Sequence, residues 1–286
     1  MKKNLKLAFL FCAFLMVSGL CHASEGTLLD DFSSKNLDKT KWVYRDYARE
    51  IIDGKLILKL GNGSHMSAEV LPGIFRAELP FIGSNDIHTI QADITIVDAE
   101  LDEKALDAES YAMIGGYFYN VNETEGLTGD VYVEISIGER GNGLEAFWTV
   151  LKRLSNDSSQ WETLGSGDIS LANPLQKGTP VNIKLVYDGN KSFEFSVNGN
   201  TSNFVGLEDR KRGPERRFKT LEVGINATDG SNTGFISAEF DNVYINNEAI
   251  VYDDFFSQLI DTAKWTSTEF VRECSKGYLR SNIRGI

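Results

Sequence analysis

From Thr27 to Ile245 the apolar residues recur at every second position, and that rhythm excludes most folds. Side chains of a strand point alternately to opposite faces, so a period of two marks strands with one face buried. Leu56–Leu60, His88–Val97, Tyr111–Tyr119, Asp130–Ile137, Leu144–Leu151, Val181–Tyr187, Ser192–Val197, Leu221–Ile225 and Phe235–Ile245 all read this way. Between them stand Asp53-Gly54, Gly141-Asn142-Gly143, Asp188-Gly189-Asn190, Asn198-Gly199-Asn200 and Asp229-Gly230, residues that tolerate tight turns. Short strands, frequent turns and almost no helical periodicity predict an all-β sandwich or barrel. The stretch of most helical character, Asp98–Glu109, is a short acidic insertion whose six carboxylates offer oxygen ligands to a calcium ion.

A repeat sets the domain limits. Asp30-Asp31-Phe32, Leu37-Asp38, Lys41-Trp42, Arg49-Glu50, Gly54 and Leu56 return as Asp253-Asp254-Phe255, Ile260-Asp261, Lys264-Trp265, Arg272-Glu273, Gly277 and Leu279, always 223 positions later. One domain is therefore expected over 25–248, and 250–286 is expected to be the truncated start of a second copy. Too few strands remain there to close a core alone, so the tail is expected to be poorly ordered or to lie against the first domain. Trp42 and Trp265 are expected to be packing anchors.

The first 23 residues have the parts of a secretory signal: Lys2, Lys3 and Lys6, an apolar run Leu7–Val17, and Cys21-His22-Ala23 as cleavage site. The run is short for a membrane span. The expected destination is secreted, periplasmic or cell-surface. Cleavage leaves 26 of the 29 basic residues against 41 acidic ones, a formal charge of −15. That excess disfavours nucleic acid, whose phosphates need a basic surface. Only Cys274 remains, so no internal disulfide can form, and only His65 and His88 remain, which disfavours a histidine-rich zinc site.

The opening DDF…LD…KW, the Gly54 turn and the closing strand Phe240-Asp241-Asn242-Val243-Tyr244-Ile245 resemble the concanavalin A-like lectin/glucanase superfamily. The resemblance implies a two-sheet antiparallel jelly-roll β-sandwich whose concave sheet receives glycans. Glu134-Ile135-Ser136-Ile137-Gly138-Glu139 is similar to the catalytic strand of family 16 glycoside hydrolases. By that likeness Glu134 would be the nucleophile and Glu139 the acid/base, with Ser136 where the family has aspartate. A bulge at Gly138 would be needed to bring both carboxylates to one face. The plainer reading is an alternating strand followed by a polar hairpin. Structural calcium is also implied, with Asp31, the Gly54 carbonyl and Asp241 as ligands.

Aromatic side chains supply a second candidate surface. Tyr117, Tyr119 and Trp148 are expected ligand-binding positions, with Trp161 nearby, since sugars stack on such rings; core packing is the competing role. Arg210-Lys211-Arg212 with Arg216-Arg217 is a basic cluster, read as solvated or as a contact for an anionic polysaccharide. Three functions stay open: a non-catalytic exported module binding glycans or another extracellular ligand, favoured here; a family 16-like glycoside hydrolase; and a structural or adhesive surface repeat. The first makes the chain more a binder than an enzyme.

Overall fold

The structure, a computed structural model, describes residues 30–33, 37, 41, 46–61, 75–101, 108–122, 126–141, 143–157, 160–206, 209–211, 213, 218–226 and 234–284. The expected signal, Trp42, His65, the middle of the acidic insertion and Arg212, Arg216 and Arg217 lie outside the described residues.

Sixteen strands follow in chain order. β1 (Tyr47–Ile52) and β2 (Lys55–Gly61) form a hairpin, followed by β3 (Phe75–Pro80), β4 (Thr89–Leu101), β5 (Glu109–Asn120), β6 (Asp130–Glu139), β7 (Leu144–Arg153) and β8 (Trp161–Asp168). Then come β9 (Val181–Tyr187), β10 (Ser192–Val197), β11 (Asn200–Val205), β12 (Lys219–Asn226), β13 (Gly234–Ile245), β14 (Val251–Asp253), β15 (Glu269–Ser275) and β16 (Tyr278–Arg284). They pair antiparallel into two sheets. One runs β11-β10-β9-β4-β13-β2-β1-β15-β16, with β14 beside β13; the other runs β3-β12-β5-β6-β7-β8. This is a two-sheet antiparallel sandwich, one of the two architectures that the alternation left open and the one that the resemblance implied.

The core lies between the sheets. Leu56, Leu58 and Leu60 of β2, Ile90, Ala92, Ile94 and Ile96 of β4, and Ile236, Ala238 and Phe240 of β13 meet Val131, Val133, Ile135 and Ile137 of β6 and Leu221, Val223 and Ile225 of β12. Each fully buried side chain of this kind contributes roughly 1.5–3 kcal/mol. The strands not anticipated from periodicity include β3, β8 and β11, which are sheet edges. Edge strands carry polar residues against pairing with other chains, and so lose the hydrophobic alternation.

Two sequence expectations are corrected by local geometry. Tyr117 and Tyr119 do not share a face, because the β5–β6 ladder shifts register between them. Gly116 sets up that irregularity: its φ is +146°, and an added Cβ would lie 2.1 Å from the Phe218 carbonyl oxygen. Tyr119 therefore enters the core, stacked against Tyr187 and Phe193 with centroids 5.7 and 6.1 Å away. Trp148 is also in the core, stacked on Phe195 at 4.6 Å with its indole N–H donating to Ser202 Oγ at 3.0 Å. Neither ring is available to a ligand.

The C-terminal strands join the same sheet as the strands before them. β14 pairs with β13, β15 with β1 and β16 with β15. Phe255, Ile260 and Trp265 are buried in the main core. The Trp265 ring packs on Phe81 at 4.5 Å and its N–H donates to Asp253 Oδ2 at 2.7 Å. Backbone bonds Ile82 N–H to Lys264 O (2.8 Å) and Thr266 N–H to Pro80 O (2.9 Å) tie this segment to the end of β3.

Candidate functional site on the six-stranded sheet

The face of the six-stranded sheet that points away from the core carries a second, separate cluster. Tyr111, Met113, Tyr132 and Phe147 are buried there, with Tyr117, Leu151 and Trp161 packed against them. They come from alternate positions of β5, β6 and β7, the positions left over when the other parity fills the core. The ladder places Glu222 of β12 opposite Met113, Met113 opposite Ser136, and Ser136 opposite Phe147. In the neighbouring row Arg76 faces Gly224, which faces Tyr111. Gly224 is there because the Tyr111 ring covers it: an added Cβ would meet Tyr111 Cζ and Oη at 2.5 Å.

Arg76 is the centre of the cluster. Its Nε lies 3.1 Å from Glu222 Oε1, and Nη1 donates to Glu222 Oε2 at 3.3 Å and to Tyr132 Oη at 3.1 Å. Burial opposes the guanidinium charge, but Glu222, the two tyrosines and Glu134 together hold its pKa well above the ordinary value. The carboxylates respond the other way. Burial pushes Glu222 up to about 8 against the pull of Arg76, with Glu134 and Glu78 adding repulsion. Burial likewise pushes Glu134 up to about 7; Arg76, a hydrogen bond with Tyr132 and Arg140 pull it down, while Glu109 raises it. The phenols of Tyr111 and Tyr132 are driven well above their ordinary value, chiefly by burial, and stay protonated.

Cations and rings border this centre. Arg153 donates to Tyr117 Oη at 3.1 Å and lies over the Trp161 ring at 4.9 Å. Arg140 lies 3.8 Å over Phe147 and pairs with Glu109 and Asp168, each at 3.1 Å. Two buried polar atoms, Ser136 Oγ and Arg153 Nε, have no hydrogen-bond partner in the structure. Buried polar atoms are rarely left so. Two carboxyls raised toward neutrality beside a half-buried cation and two protonated phenols can bind an anion and move a proton.

Of the residues named from sequence, Glu134 and Tyr117 belong to this face. Glu139 does not. The β6–β7 ladder runs from Val131 to Glu139 without a register shift, so no bulge forms at Gly138 and Glu134 and Glu139 keep opposite parity. Glu139 instead accepts from the Gly143 N–H at 2.9 Å inside the hairpin. Of the residues named for calcium, Asp31 accepts from Ser33 N–H and Oγ at 2.9 and 2.6 Å, and Asp241 accepts from Asn242 N–H at 2.7 Å. Gly54 turns the β1–β2 hairpin with φ +76°. Among the described residues no three or more acidic, histidine or cysteine side chains gather as a metal site. Sequence reasoning missed Arg76, Tyr111, Tyr132, Phe147 and Glu222. The available signal was charge or aromaticity at the outward positions of otherwise apolar strands, as in Leu221-Glu222-Val223.

No family model matches this chain, and no curated protein matches it. Solved structures of similar shape exist. A marine PL7 alginate lyase from Zobellia galactanivorans is 17% identical, over 71% of this chain and 83% of its own, with a TM-score of 0.37. The endo-β-1,4-glucuronan lyase of the fungus Trichoderma reesei is 12% identical over 70% and 86%, TM-score 0.41. The carbohydrate recognition domain of Emp47p is 11% identical over 68% and 81%, TM-score 0.29. The expected function is corrected accordingly. The family 16 reading falls because the Glu134–Glu139 pair that it needed does not assemble. The favoured reading, a non-catalytic module, is corrected as well: it named Tyr119 and Trp148 as ligand-binding positions, and both are in the core. The chain itself is a two-sheet antiparallel β-sandwich.

Proposed function

We propose that this face is the active site of an exported enzyme that cleaves an acidic polysaccharide by β-elimination. The observation that carries the reading is Arg76 paired with Glu222, a carboxyl pushed up to about 8. Burial favours the neutral form of Glu222, so less of the Arg76 charge is matched within the protein and more is left for an anionic group such as a uronate carboxylate. Holding that carboxylate against a cation acidifies the adjacent C–H and stabilises the charge that develops when its proton leaves.

Glu134, titrating at about 7, supplies a fraction of free carboxylate to take that proton. The C–H electron pair becomes a carbon–carbon double bond as the neighbouring glycosidic C–O bond breaks. The departing oxygen takes its proton from Tyr132, whose hydroxyl is held neutral and 3.1 Å from Arg76. No water is consumed. Tyr117 and Trp161, stacked at 6.3 Å, offer a platform for a neighbouring sugar, and Arg153 a second cation. Export through the sequence over 1–23 would bring the protein to extracellular glycans. Among the described residues no helix is long and apolar enough to cross a membrane.

The test is incubation with a panel of polyuronides and neutral glucans, following the ultraviolet absorbance of unsaturated uronide ends. Activity is expected on a polyuronide alone, with Arg76→Ala and Glu134→Gln each losing at least ~100-fold in kcat/KM. Release of reducing ends without unsaturation, or cleavage of a neutral glucan, would refute elimination.

A further inference from the structure

The two copies of the repeated stretch pair with each other. β1 and β15 lie antiparallel with Ala48 opposite Val271, its own counterpart at the repeat spacing. Tyr47 faces Arg272, the counterpart of Arg49, and Arg49 faces Phe270, the counterpart of Tyr47. A pseudo-two-fold axis therefore passes through the Ala48–Val271 pair. Hydrogen bonds obey it: Asp46 accepts from the Cys274 N–H at 2.7 Å, and its counterpart Glu269 accepts from the N–H of Ile51, the counterpart of Cys274, at 3.1 Å.

A cleft of about 750 Å³ opens beside this seam, on the outer face of the ten-stranded sheet. Ala48, Val271 and Asn282 are neighbours across the ladder, and Glu50, Ile52 and Arg280 continue their face at every second position. These side chains floor the cleft between the Asp53-Gly54 turn and the loop Phe256-Ser257-Gln258. The loop is fixed by its own residues. Phe255 has φ 52° and is buried in the core, while Phe256 beside it is 85% exposed. The Phe256 N–H donates to Asp254 Oδ1 at 3.1 Å, and Ser257 Oγ donates to the Leu259 carbonyl at 2.6 Å.

The symmetry holds in the backbone and fails in the chemistry. At the positions of Phe256, Arg280 and Asn282 the first copy has Ser33, Ile57 and Lys59. Pairing of the repeats thus requires neither the ring nor the amide. Polar groups accompany that ring. Arg280 pairs with Glu50 and, at 3.3 Å, with Glu273, which Lys59 also reaches at 2.6 Å. Among the described residues no hydrogen bond engages the side-chain amides of Gln258 and Asn282.

A sugar matches this set of groups. Its flat C–H face rests on an aromatic ring, and its hydroxyls both donate and accept, as amides and an arginine–carboxylate pair demand. Charge selects among sugars. The Arg280 guanidinium is already matched by two carboxylates, and Asp53 adds a third at the rim, so a uronate would be repelled. We propose that this cleft binds a neutral glycan. It lies across the core from the outer face of the six-stranded sheet and does not depend on the chemistry assigned there.

The test is native affinity electrophoresis of the full chain in gels containing a β-glucan, a galactomannan or polygalacturonate. Retardation by at least one of the two neutral polymers is expected, with Phe256→Ala weakening it at least ~10-fold in Kd and Asn282→Ala weakening it as well. Phe256 is exposed, so its replacement leaves the core intact. Glu222→Gln, on the other sheet, is expected to bind these polymers like wild type. Failure of both neutral polymers to retard the protein, or retardation indifferent to Phe256→Ala and Asn282→Ala alike, overturns the proposal. So does retardation by polygalacturonate that Phe256→Ala abolishes, since the cleft would then take an anion.

Discussion

Replacing Glu222 by glutamine tests whether the outer face of the six-stranded sheet is dry and charged as described. In the folded chain burial raises this carboxyl from the ordinary 4.5 to about 8. The unfolded chain releases its proton near the ordinary value, so between these limits the folded state binds the extra proton. Stability from this group is complete below about pH 4.5 and is lost as pH rises through about 8. The slope is ~1.4 kcal/mol per pH unit and the full span reaches ~5 kcal/mol. Glutamine resembles the neutral carboxyl in shape and does not titrate. Urea denaturation of wild type and Glu222→Gln should therefore give similar free energies at about pH 5, with the variant gaining up to ~5 kcal/mol over wild type by about pH 9. A difference between the two proteins that stays constant across that range would mean that Glu222 is solvated and ionised throughout. The reading of Arg76 as a free cation near neutral pH would fall with it.

Other substitutions probe how the face is held. Trp265→Ala empties a core position wedged against Phe81 and takes the indole donor from Asp253 Oδ2; a loss of ~3–5 kcal/mol in thermal or chemical unfolding is expected. Gly224→Ala puts a methyl group 2.5 Å from the Tyr111 ring, and should cost ~1–3 kcal/mol and alter the near-ultraviolet circular dichroism of the tyrosines. Asp46→Ala strands the buried amides of Leu37 and Cys274, which the carboxylate now accepts at 2.6 and 2.7 Å; a loss of ~3 kcal/mol by denaturation checks it.

Part of the site was legible in the chain itself. Glu134 and Tyr117 stand at outward positions of strongly alternating strands, so their strand and their parity followed from the pattern. Tyr119 was misplaced because a one-residue irregularity reverses every parity beyond it, and the signal for that irregularity, Gly116, looks like any other glycine. Arg76 was overlooked because β3 is a short edge strand whose polar residues blur its period, while its partner Glu222 is 146 residues away. The two meet only because β3 and β12 are neighbours in the sheet.

By itself the sequence determined that the chain is all-β and that its opening stretch occurs twice, since alternation and repetition are local properties of residue order. Only the tertiary structure decided that the second hairpin pairs with the first across a pseudo-two-fold axis and lends its tryptophan to the first core. It also decided that an arginine and two glutamates share one buried face, because desolvation and charge coupling depend on which strands lie side by side.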